Sequence, residues 1–306
     1  MKKSFLMIVL FILVTGCSGM GPSASNVQDD YHTGTQGIVM SFVPNAPPSR
    51  VYDGDKLDIS VQLENKGAYP EGNKLQGKLE VSGFDPASIR GSWDGGNSMP
   101  SDLEGKSQSN PVGGIDVMTY KSSNVNVPFD ADYYEPTVLV HSCYKYQTIA
   151  NPSVCVDADP YEVVEEKKVC TPGTVSVGGG QGAPISVTSV EQEVGSDNLF
   201  FRIYISNVGG GSVMVPGAYS DCPFNVEYDE LDKVVAKIKL PHDASPDCSP
   251  KGTSSDPIRL TGGRGYIFCK FNKPAQKSAY ITNLDIVLDY VYSSSISKQI
   301  RIINLK

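Results

Sequence analysis

The sequence lacks a hydrophobic run long enough to cross a membrane. A spanning helix needs about 20 consecutive apolar residues, and the uncharged run at residues 5–14 falls well short of that length. The run follows Lys2 and Lys3, and a basic start before a short apolar core is typical of a secretory signal peptide. We therefore expect residues 1–16 to direct export from the cytoplasm.

The end of this signal carries a cysteine in an informative position. Val14-Thr15-Gly16 directly precedes Cys17 and resembles a lipobox, in which the cysteine thiol is lipidated and becomes the first residue after cleavage. Two acyl chains on one residue anchor a protein stably to a membrane. We expect lipidation at Cys17. Ordinary signal cleavage beside an incidental cysteine, and an uncleaved N-terminal anchor, are the alternatives.

Histidine, tryptophan and positive charge are also scarce. The chain has three His, one Trp, and 26 Lys and Arg against 34 Asp and Glu. The resulting net charge of −8 argues against nucleic acid as a partner. The histidines His32, His141 and His242 are scattered, and the sequence has no Gly-x-Ser-x-Gly motif of serine hydrolases. We therefore expect no catalytic residues, no cofactor and no enzyme activity.

Cysteine is the exception to this scarcity. Beyond Cys17 the sequence has six more cysteines, and an even number behind an export signal predicts three disulfides in an oxidising compartment. None has the C-x-x-C spacing of a zinc site, so we expect no metal. The six residues are Cys143, Cys155, Cys170, Cys222, Cys248 and Cys269.

The two halves of the chain share a strand pattern. Residues 59–67 and residues 201–209 both alternate apolar and polar side chains, and both end in Asn-x-Gly. Alternation predicts a strand with one buried face, and the Asn and Gly predict a side-chain-bonded turn with a permissive backbone. The pattern indicates an internal repeat; chance recurrence in a β-rich chain is the alternative.

A second match closes each half. Tyr144-Lys145-Tyr146 is followed by Val154-Cys155-Val156, and Tyr290-Val291-Tyr292 is followed at the same distance by Ile300-Arg301-Ile302. We interpret each match as a hairpin of two strands joined by a polar turn. The first hairpin would place Cys143 opposite Cys155, near the range that a disulfide spans. Other connectivities stay open, but we favour Cys143–Cys155, Cys248–Cys269 and, by elimination, Cys170–Cys222.

The rest of the chain predicts strands as well. Short apolar runs bounded by Gly, Pro, Asn or Asp recur, without an apolar stripe at helical spacing, and many short strands with frequent turns predict β-sandwiches. We expect an all-β protein of two tandem immunoglobulin-like antiparallel β-sandwiches. The predicted order is signal peptide 1–16, flexible tether 17–37, first sandwich 38–160, interdomain linker 161–182 and second sandwich 183–306.

Several phrases carry a resemblance to known proteins. Residues 62–67 and 205–209, each a strand ending in Asn-x-Gly, are similar to CARDB-type and related immunoglobulin-like domains of prokaryotic surface proteins. The resemblance covers most of the chain after the signal and implies a cell-surface β-sandwich protein without catalytic residues. Uncharacterised archaeal exported proteins with tandem β-domains are similar at residues 103–107, 110–111, 143–146 and 181–184.

Trp93 is the weak candidate for ligand binding. It lies in the polar stretch 85–114, which we expect to be an extended surface loop. An exposed Trp in such a loop stacks on a sugar or anchors a partner, since Trp is frequent at binding hot spots. The alternative is that its ring folds back and covers the open end of the sandwich.

Other motifs have ordinary explanations. Gly105-Lys106-Ser107 lacks the upstream glycine of a phosphate-binding loop, and the glycines of residues 178–183 precede an alternating run instead of a helix, which predicts a flexible interdomain joint. Paired aspartates offer oxygen ligands for calcium, but none completes an EF-type loop, so we expect solvated loop acids. These pairs are Asp53/Asp55, Asp130/Asp132 and Asp157/Asp159.

Together these features predict a role in binding at a cell surface. We expect a lipid-anchored, non-catalytic protein that serves adhesion, envelope organisation or assembly, with the membrane and other surface proteins or the cell envelope as partners. The alternative is a module that binds a glycan or peptide and delivers it to a transporter or an enzyme complex.

Overall fold

Alternating apolar and polar residues form strands along the chain, as the sequence predicts. The structure, a computed structural model, describes residues 31–70, 74–159, 168–276 and 278–305. The predicted signal peptide, Cys17 and most of the predicted tether lie outside the described residues. Below, residues 38–160 are called the first half and residues 183–306 the second half.

The described part of the first half contains one short 3-10 helix, Pro128–Asp130, among its strands. The strands are β1 Ile38–Phe42, β2 Arg50–Tyr52, β3 Leu57–Asn65, β4 Gly77–Ser82, β5 Ile89–Trp93, β6 Ile115–Val125, β7 Tyr133–Tyr134, β8 Thr137–Ala150 and β9 Ser153–Val156.

The described remainder begins with a short strand in the predicted linker and contains two more 3-10 helices, Pro216–Tyr219 and Tyr228–Glu230. The strands are β10 Val175–Ser176, β11 Ile185–Val194, β12 Asn198–Asn207, β13 Ser212–Met214, β14 Lys233–Lys239, β15 Asp247–Ser249, β16 Ile258–Arg259, β17 Arg264–Asn272, β18 Tyr280–Asn283, β19 Asp285–Gln299 and β20 Arg301–Ile303.

Each half has one sheet of its own: β1-β3-β6-β5 in the first half, and β11-β12-β17-β15 in the second, to which β10 of the predicted linker adds an edge strand. Period-two alternation buries one face of each, with Leu57 and Leu199 fully inaccessible. Both faces share a hydrophobic core with a third sheet, ordered β16-β14-β19-β8-β4, which takes strands from both halves. The predicted fold class is confirmed: the chain is all-β, with mainly antiparallel sheets packed as immunoglobulin-like sandwiches.

The third sheet joins the halves through β8 and β19, which pair antiparallel along almost their whole length. The Tyr-x-Tyr motif at residues 144–146 lies opposite the one at residues 290–292, running the other way. Equivalent positions are therefore related by a pseudo-twofold axis, which passes through the paired residues Lys145 and Val291. The matching motifs mark the joint between the halves.

The four tyrosines of these motifs form a buried cluster around the axis. Their ring centroids lie 5.5 to 6.4 Å apart, and each side chain is at most 2% exposed. A buried hydroxyl costs free energy unless it is hydrogen-bonded. Tyr144 accepts a bond from the N–H of Ile38 at 3.2 Å, and Tyr290 bonds the Thr148 hydroxyl at 2.9 Å. Burial raises the pKa of Tyr144 and Tyr290 well above the ordinary value.

The other two tyrosines bind the asparagines of the Asn-x-Gly phrases. Tyr146 donates to Oδ1 of Asn65 at 3.0 Å, and Tyr292 donates to Oδ1 of Asn207 at 3.0 Å. Nδ2 of each asparagine donates to the carbonyl four residues later, at 2.8 Å in both cases. The internal repeat that the sequence predicts is therefore present in three dimensions, down to single hydrogen bonds.

The glycines of these phrases have a different purpose from the predicted one. The side-chain-bonded turn is confirmed, because Gly67 and Gly209 each donate to the preceding asparagine Oδ1 at 3.3 Å. A permissive backbone is not the reason for glycine, because neither residue has a positive φ. A β-carbon on Gly67 would lie 1.9 Å from the Tyr146 hydroxyl, and one on Gly209 2.6 Å from that of Tyr292. Glycine is needed so that the tyrosine can approach.

Each half gives its last strand to the other half. β9 of the first half pairs with β18, and β20 of the second half pairs with β2 and β7. Within the described chain β8 does not pair with β9, nor β19 with β20, so both predicted hairpins are wrong. Alternation predicts a strand but not which strand it pairs with. The contacts among the four clustered tyrosines favour the pairing of β8 with β19.

The six cysteines form three disulfides, as their even number predicts. The Cys248–Cys269 bond is confirmed and joins directly paired positions of β15 and β17. The expected pairing of Cys143 with Cys155 is wrong because it rests on the first hairpin, and the pairing by elimination fails with it. Cys143, on β8 of the first half, bonds Cys222 of the second half and so links the two halves covalently. The observed pairs are Cys143–Cys222, Cys155–Cys170 and Cys248–Cys269.

Backbone hydrogen bonds hold two segments that the sequence predicts to be flexible. Gly34 donates to the carbonyl of Gly179 at 2.8 Å, and Gly182 donates to the carbonyl of Gly34 at 3.0 Å. Ala68 donates to the carbonyl of Gly182 at 2.7 Å. The end of the predicted tether and the predicted joint at residues 178–183 are therefore part of the fold, because glycine lets these backbones approach closely.

The two halves make up one structural unit. Residues 31–306 cluster as a single compact body, as the shared sheet and the exchanged strands require. In the part of this body that the structure describes, no helix has the length and apolar character of a membrane span. The interdomain linker at residues 161–182 stays a prediction from the sequence. It separates the two copies of the repeat along the chain.

We expect neither half to fold by itself. Residues 31–159 alone would lack β19 and β20, leaving backbone groups of β8 and β2 unpaired and the tyrosine cluster open to water. Proton–nitrogen NMR spectra should show poor dispersion for this fragment and for residues 168–306, and good dispersion for residues 31–306. A well-dispersed spectrum from either isolated fragment would contradict the expectation.

We expect the two asparagines to differ in their contribution to stability. Asn65 is 0% exposed, whereas Asn207 is partly exposed, so water can replace its lost bonds. Asn65→Ala should lower the free energy of unfolding by about 1–3 kcal/mol, and Asn207→Ala by clearly less. Urea denaturation of both variants beside the parent chain measures this, and equal losses would refute the argument.

We expect the protein to lose stability at alkaline pH. Buried Tyr144 and Tyr290 have raised pKa values, so they stay neutral in the folded chain while unfolded tyrosine ionises near pH 10. The unfolded state then binds fewer protons, and stability falls as pH rises above about 10. Melting temperatures at pH 8 and pH 11 test this. The variant Tyr144→Phe should show a smaller drop than the parent, and an identical drop would exclude this tyrosine as a cause.

Candidate binding face on the second-half sheet

The outward face of the second-half sheet carries aromatic side chains where polar ones are usual. In β12 the inward positions are fully buried, and the outward positions between them are Phe200, Arg202 and Tyr204. In β17 the outward positions directly opposite Arg202 and Tyr204 are Phe268 and Tyr266. Both strands thus carry aromatic side chains in their outward phase, where an ordinary half-buried strand is polar.

These rings form a contiguous surface. Phe200 and Phe268 stack with centroids 5.6 Å apart and ring planes 14° from parallel, and Tyr204 and Tyr266 lie 6.1 Å apart. Tyr266 is 54% exposed, and the other three rings are partly exposed. We call this surface the aromatic face and define it by these four residues.

A charged pair lies in the middle of the aromatic face. Nη1 of Arg202 lies 3.1 Å from Oε2 of Glu191 on the neighbouring strand β11, and the Tyr204 hydroxyl donates to the same oxygen at 3.0 Å. The guanidinium of Arg202 also lies over the Tyr266 ring, 5.8 Å from its centroid. Donors and acceptors therefore have fixed positions among the rings.

The rim of the face is charged and nearly balanced. Glu193 lies opposite Phe200, and Asp247 lies opposite Lys270. Arg264 ends the row on β17. With Arg202 and Glu191 these make three basic and three acidic side chains at paired strand positions, and Lys251 lies 3.9 Å from Asp247 at the rim. The whole chain, by contrast, carries a net charge of −8.

The first half lacks this surface although its strands follow the same plan. Gln62 and Tyr204 both precede the repeated asparagine by three residues, and the residues opposite them are Val117 and Tyr266. One pair further along, Ser60 lies opposite Thr119 where the second half has Arg202 and Phe268. The aromatic face is therefore not a requirement of the fold, since the repeat folds without it.

Trp93, the candidate from the sequence, lies elsewhere. The stretch 85–114 is not one extended loop, because it contains β5, and Trp93 pairs directly with Tyr120 of β6. The Trp93 ring is only 8% exposed and packs edge-on against Tyr120, 5.7 Å between centroids. The burial agrees with the alternative explanation that the ring folds back, although here it packs on Tyr120 within the sheet and not over an open end of the sandwich. The pair occupies the place that the Cys248–Cys269 bridge has in the second half.

The other candidate residues stay apart from one another. Among the residues that the structure describes, no group of three or more His, Cys, Asp or Glu is placed to hold a metal ion. His141 bonds Ser82 from β8, whereas His242 bonds the Asn272 carbonyl in the second half. Buried Asp157 pairs with Lys168 at 2.9 Å, so the solvated role predicted for it is wrong.

The remaining aspartates bind their own backbone surroundings. Asp53 accepts from the N–H of Val127 at 2.7 Å, and Asp55 accepts from the N–H of Tyr52 at 3.3 Å. The carbonyl of Asp132 accepts from the N–H of Asn304 at 2.9 Å. The side chain of Asp130 lies outside the described residues. The carboxylates of Asp53 and Asp55 therefore bond backbone groups at and beside β2, whereas Asp132 contributes only its backbone carbonyl.

No protein-family model matches the chain, and no curated protein matches it.

The sequence carries a signal for the aromatic face. In residues 199–204, Leu-Phe-Phe-Arg-Ile-Tyr, aromatic side chains occupy both phases of the alternation. Sheet packing alone explains only the inward phase, so the aromatic residues of the outward phase require another explanation. Residues 266–271 repeat the signal.

Proposed function

We propose that this chain is an exported, lipid-anchored, non-catalytic cell-surface protein that serves adhesion, envelope organisation or assembly with other surface proteins. Lipid on Cys17 would attach it to the membrane, and the interlocked halves would present binding surfaces outside the cell. The observation that carries the proposal is the pairing of all six remaining cysteines in disulfides. Such bonds form and persist in oxidising compartments and are rare in the cytosol.

Two further features support this reading. The basic and apolar start of the sequence is typical of a signal peptide. The similarity of the strand–Asn-x-Gly phrases to CARDB-type domains of prokaryotic, archaeal-type surface proteins favours the same location. An acidic chain is not drawn to anionic lipids by charge, so the anchor would be the lipid itself.

The second candidate is a glycan- or peptide-binding module that delivers its ligand to a transporter or an enzyme complex. The aromatic face favours this function. Exposed aromatic and arginine side chains are enriched at binding hot spots, and the fold does not require them at these positions. In both candidate functions the chain is an anchored binding protein. They differ in the class of molecule that it binds.

Replacing the proposed lipid attachment residue tests the anchoring. Cys17→Ser should move the protein from the membrane fraction to the soluble extracytoplasmic fraction, because no thiol is left for the lipid. Cell fractionation with immunoblotting measures this, together with incorporation of labelled fatty acid. The neighbouring variant Ser18→Ala keeps the thiol and should stay in the membrane fraction.

Two outcomes would refute the proposal. Continued membrane retention of Cys17→Ser, with no labelled fatty acid in the parent chain, would exclude the lipid anchor. Recovery of the parent chain from the cytosol with free thiols would exclude export. If neither outcome is observed, crosslinking on intact cells, followed by mass spectrometry, identifies the surface partners of the anchored protein.

A further inference from the structure

We propose that the aromatic face binds an uncharged, polyhydroxylated glycan chain. This inference rests on the proposed function, because it names the ligand class of the anchored binding protein. The occupant is inferred from three properties of the face: its exposed rings, its fixed donors and acceptors, and its balance of charge.

The rings suit the carbon-bound hydrogens of sugars. The face of an aromatic ring carries negative charge density and attracts positively polarised hydrogens. The four rings of the aromatic face lie along β12 and β17, and the outward positions from Phe200 to Tyr204 span about 14 Å at the rise of a strand. A surface of this length fits more than one ring of a glycan chain.

The charged pair suits the hydroxyl groups. Glu191 accepts from Arg202 and Tyr204 at one carboxylate oxygen, and a carboxylate has further lone pairs to offer. Arg202 has five N–H donors. Its bond to Glu191 is made by one of them, on Nη1. Sugar hydroxyls can donate to Glu191 and accept from Arg202, replacing the water that hydrates these two side chains.

The same charges argue against a protein partner. The core of a protein–protein interface is depleted in Lys, Glu and Asp, whereas four such side chains lie within and around the rings of the aromatic face: Glu191, Glu193, Asp247 and Lys270. Covering Arg202 and Glu191 with a dry protein surface would remove their water without replacing it, which is costly. A glycan brings its own hydrogen-bonding groups.

Charge balance argues against an acidic ligand. Binding of a polyanion depends on an excess of Lys and Arg that neutralises it. Here four basic side chains, Arg202, Arg264, Lys270 and Lys251, lie beside three acidic ones, Glu191, Glu193 and Asp247, which leaves no large positive excess. Binding of an uncharged glycan does not depend on an excess of charge of either sign. The geometry therefore favours a neutral glycan over a sulfated or uronic-acid-rich one.

Affinity electrophoresis tests the proposal. The chain from residue 17 onward, carrying Cys17→Ser to keep it soluble, is run through gels that contain dextran, mannan, laminarin or galactomannan, with heparin as the acidic comparison. We expect retardation by at least one neutral polysaccharide and none by heparin. Tyr266→Ala should weaken this binding about tenfold or more.

Two variants make the test specific. Val117→Ala removes the side chain at the position of the first half that corresponds to Tyr266 and that is similarly exposed, at 49%, and it should leave binding unchanged. Tyr266→Phe keeps the ring and should retain most of the affinity. Circular dichroism of each variant should match the parent, because these side chains point to solvent.

Three results would overturn the inference: no retardation by any of the four neutral polysaccharides, equal retardation of parent and Tyr266→Ala, or retardation by heparin alone. A dimer in sedimentation velocity that Tyr266→Ala dissociates would also overturn it, because the face would then be a contact between copies. These outcomes leave the anchoring proposal intact, since cell fractionation of Cys17→Ser tests that separately.

Discussion

The pairing of β8 with β19 is the interaction on which the rest of the structure depends. It brings the two Tyr-x-Tyr motifs together, and their hydroxyls then hold β1 and the Asn-x-Gly turns of both halves. Each half needs this contact to close its core, because the tyrosines fill the space between the sheets. The exchanged strands β9 and β20 follow from the same pairing, since each continues a strand that has crossed into the other half.

The sequence predicts the elements of this fold better than their partners. Alternation identifies strands such as β3 and β12, and the repeated Asn and Tyr identify the duplication. Pairing across the halves is not readable from period two, which is the same for every partner. The disulfide between Cys143 and Cys222 escapes prediction for this reason, whereas Cys248 and Cys269 lie on strands that are adjacent within one sheet.

Of the two explanations that the sequence leaves open for Trp93, its burial against Tyr120 agrees with the one in which the ring folds back onto the sandwich. Trp93 is conspicuous in the sequence because it is unique, but a single aromatic residue between polar neighbours does not reveal whether it faces the core. Residues 199–204 are less conspicuous and more informative, because aromatic side chains in both phases of one strand cannot all be buried by one sheet face. The position of Tyr266 beside Tyr204 becomes apparent only when two such strands are placed side by side.

The pseudo-twofold axis through Lys145 and Val291 has a consequence for specialisation. An assembly of two identical subunits with this architecture would display the same chemistry on both of its outer sheets, and every substitution would change both at once. In a single polypeptide the duplicates diverge independently while the interlocked centre keeps them in fixed orientation. At the equivalent pair, one outer sheet carries Gln62 and Val117 and the other carries Tyr204 and Tyr266. The molecule is thus a symmetric scaffold with an asymmetric exterior.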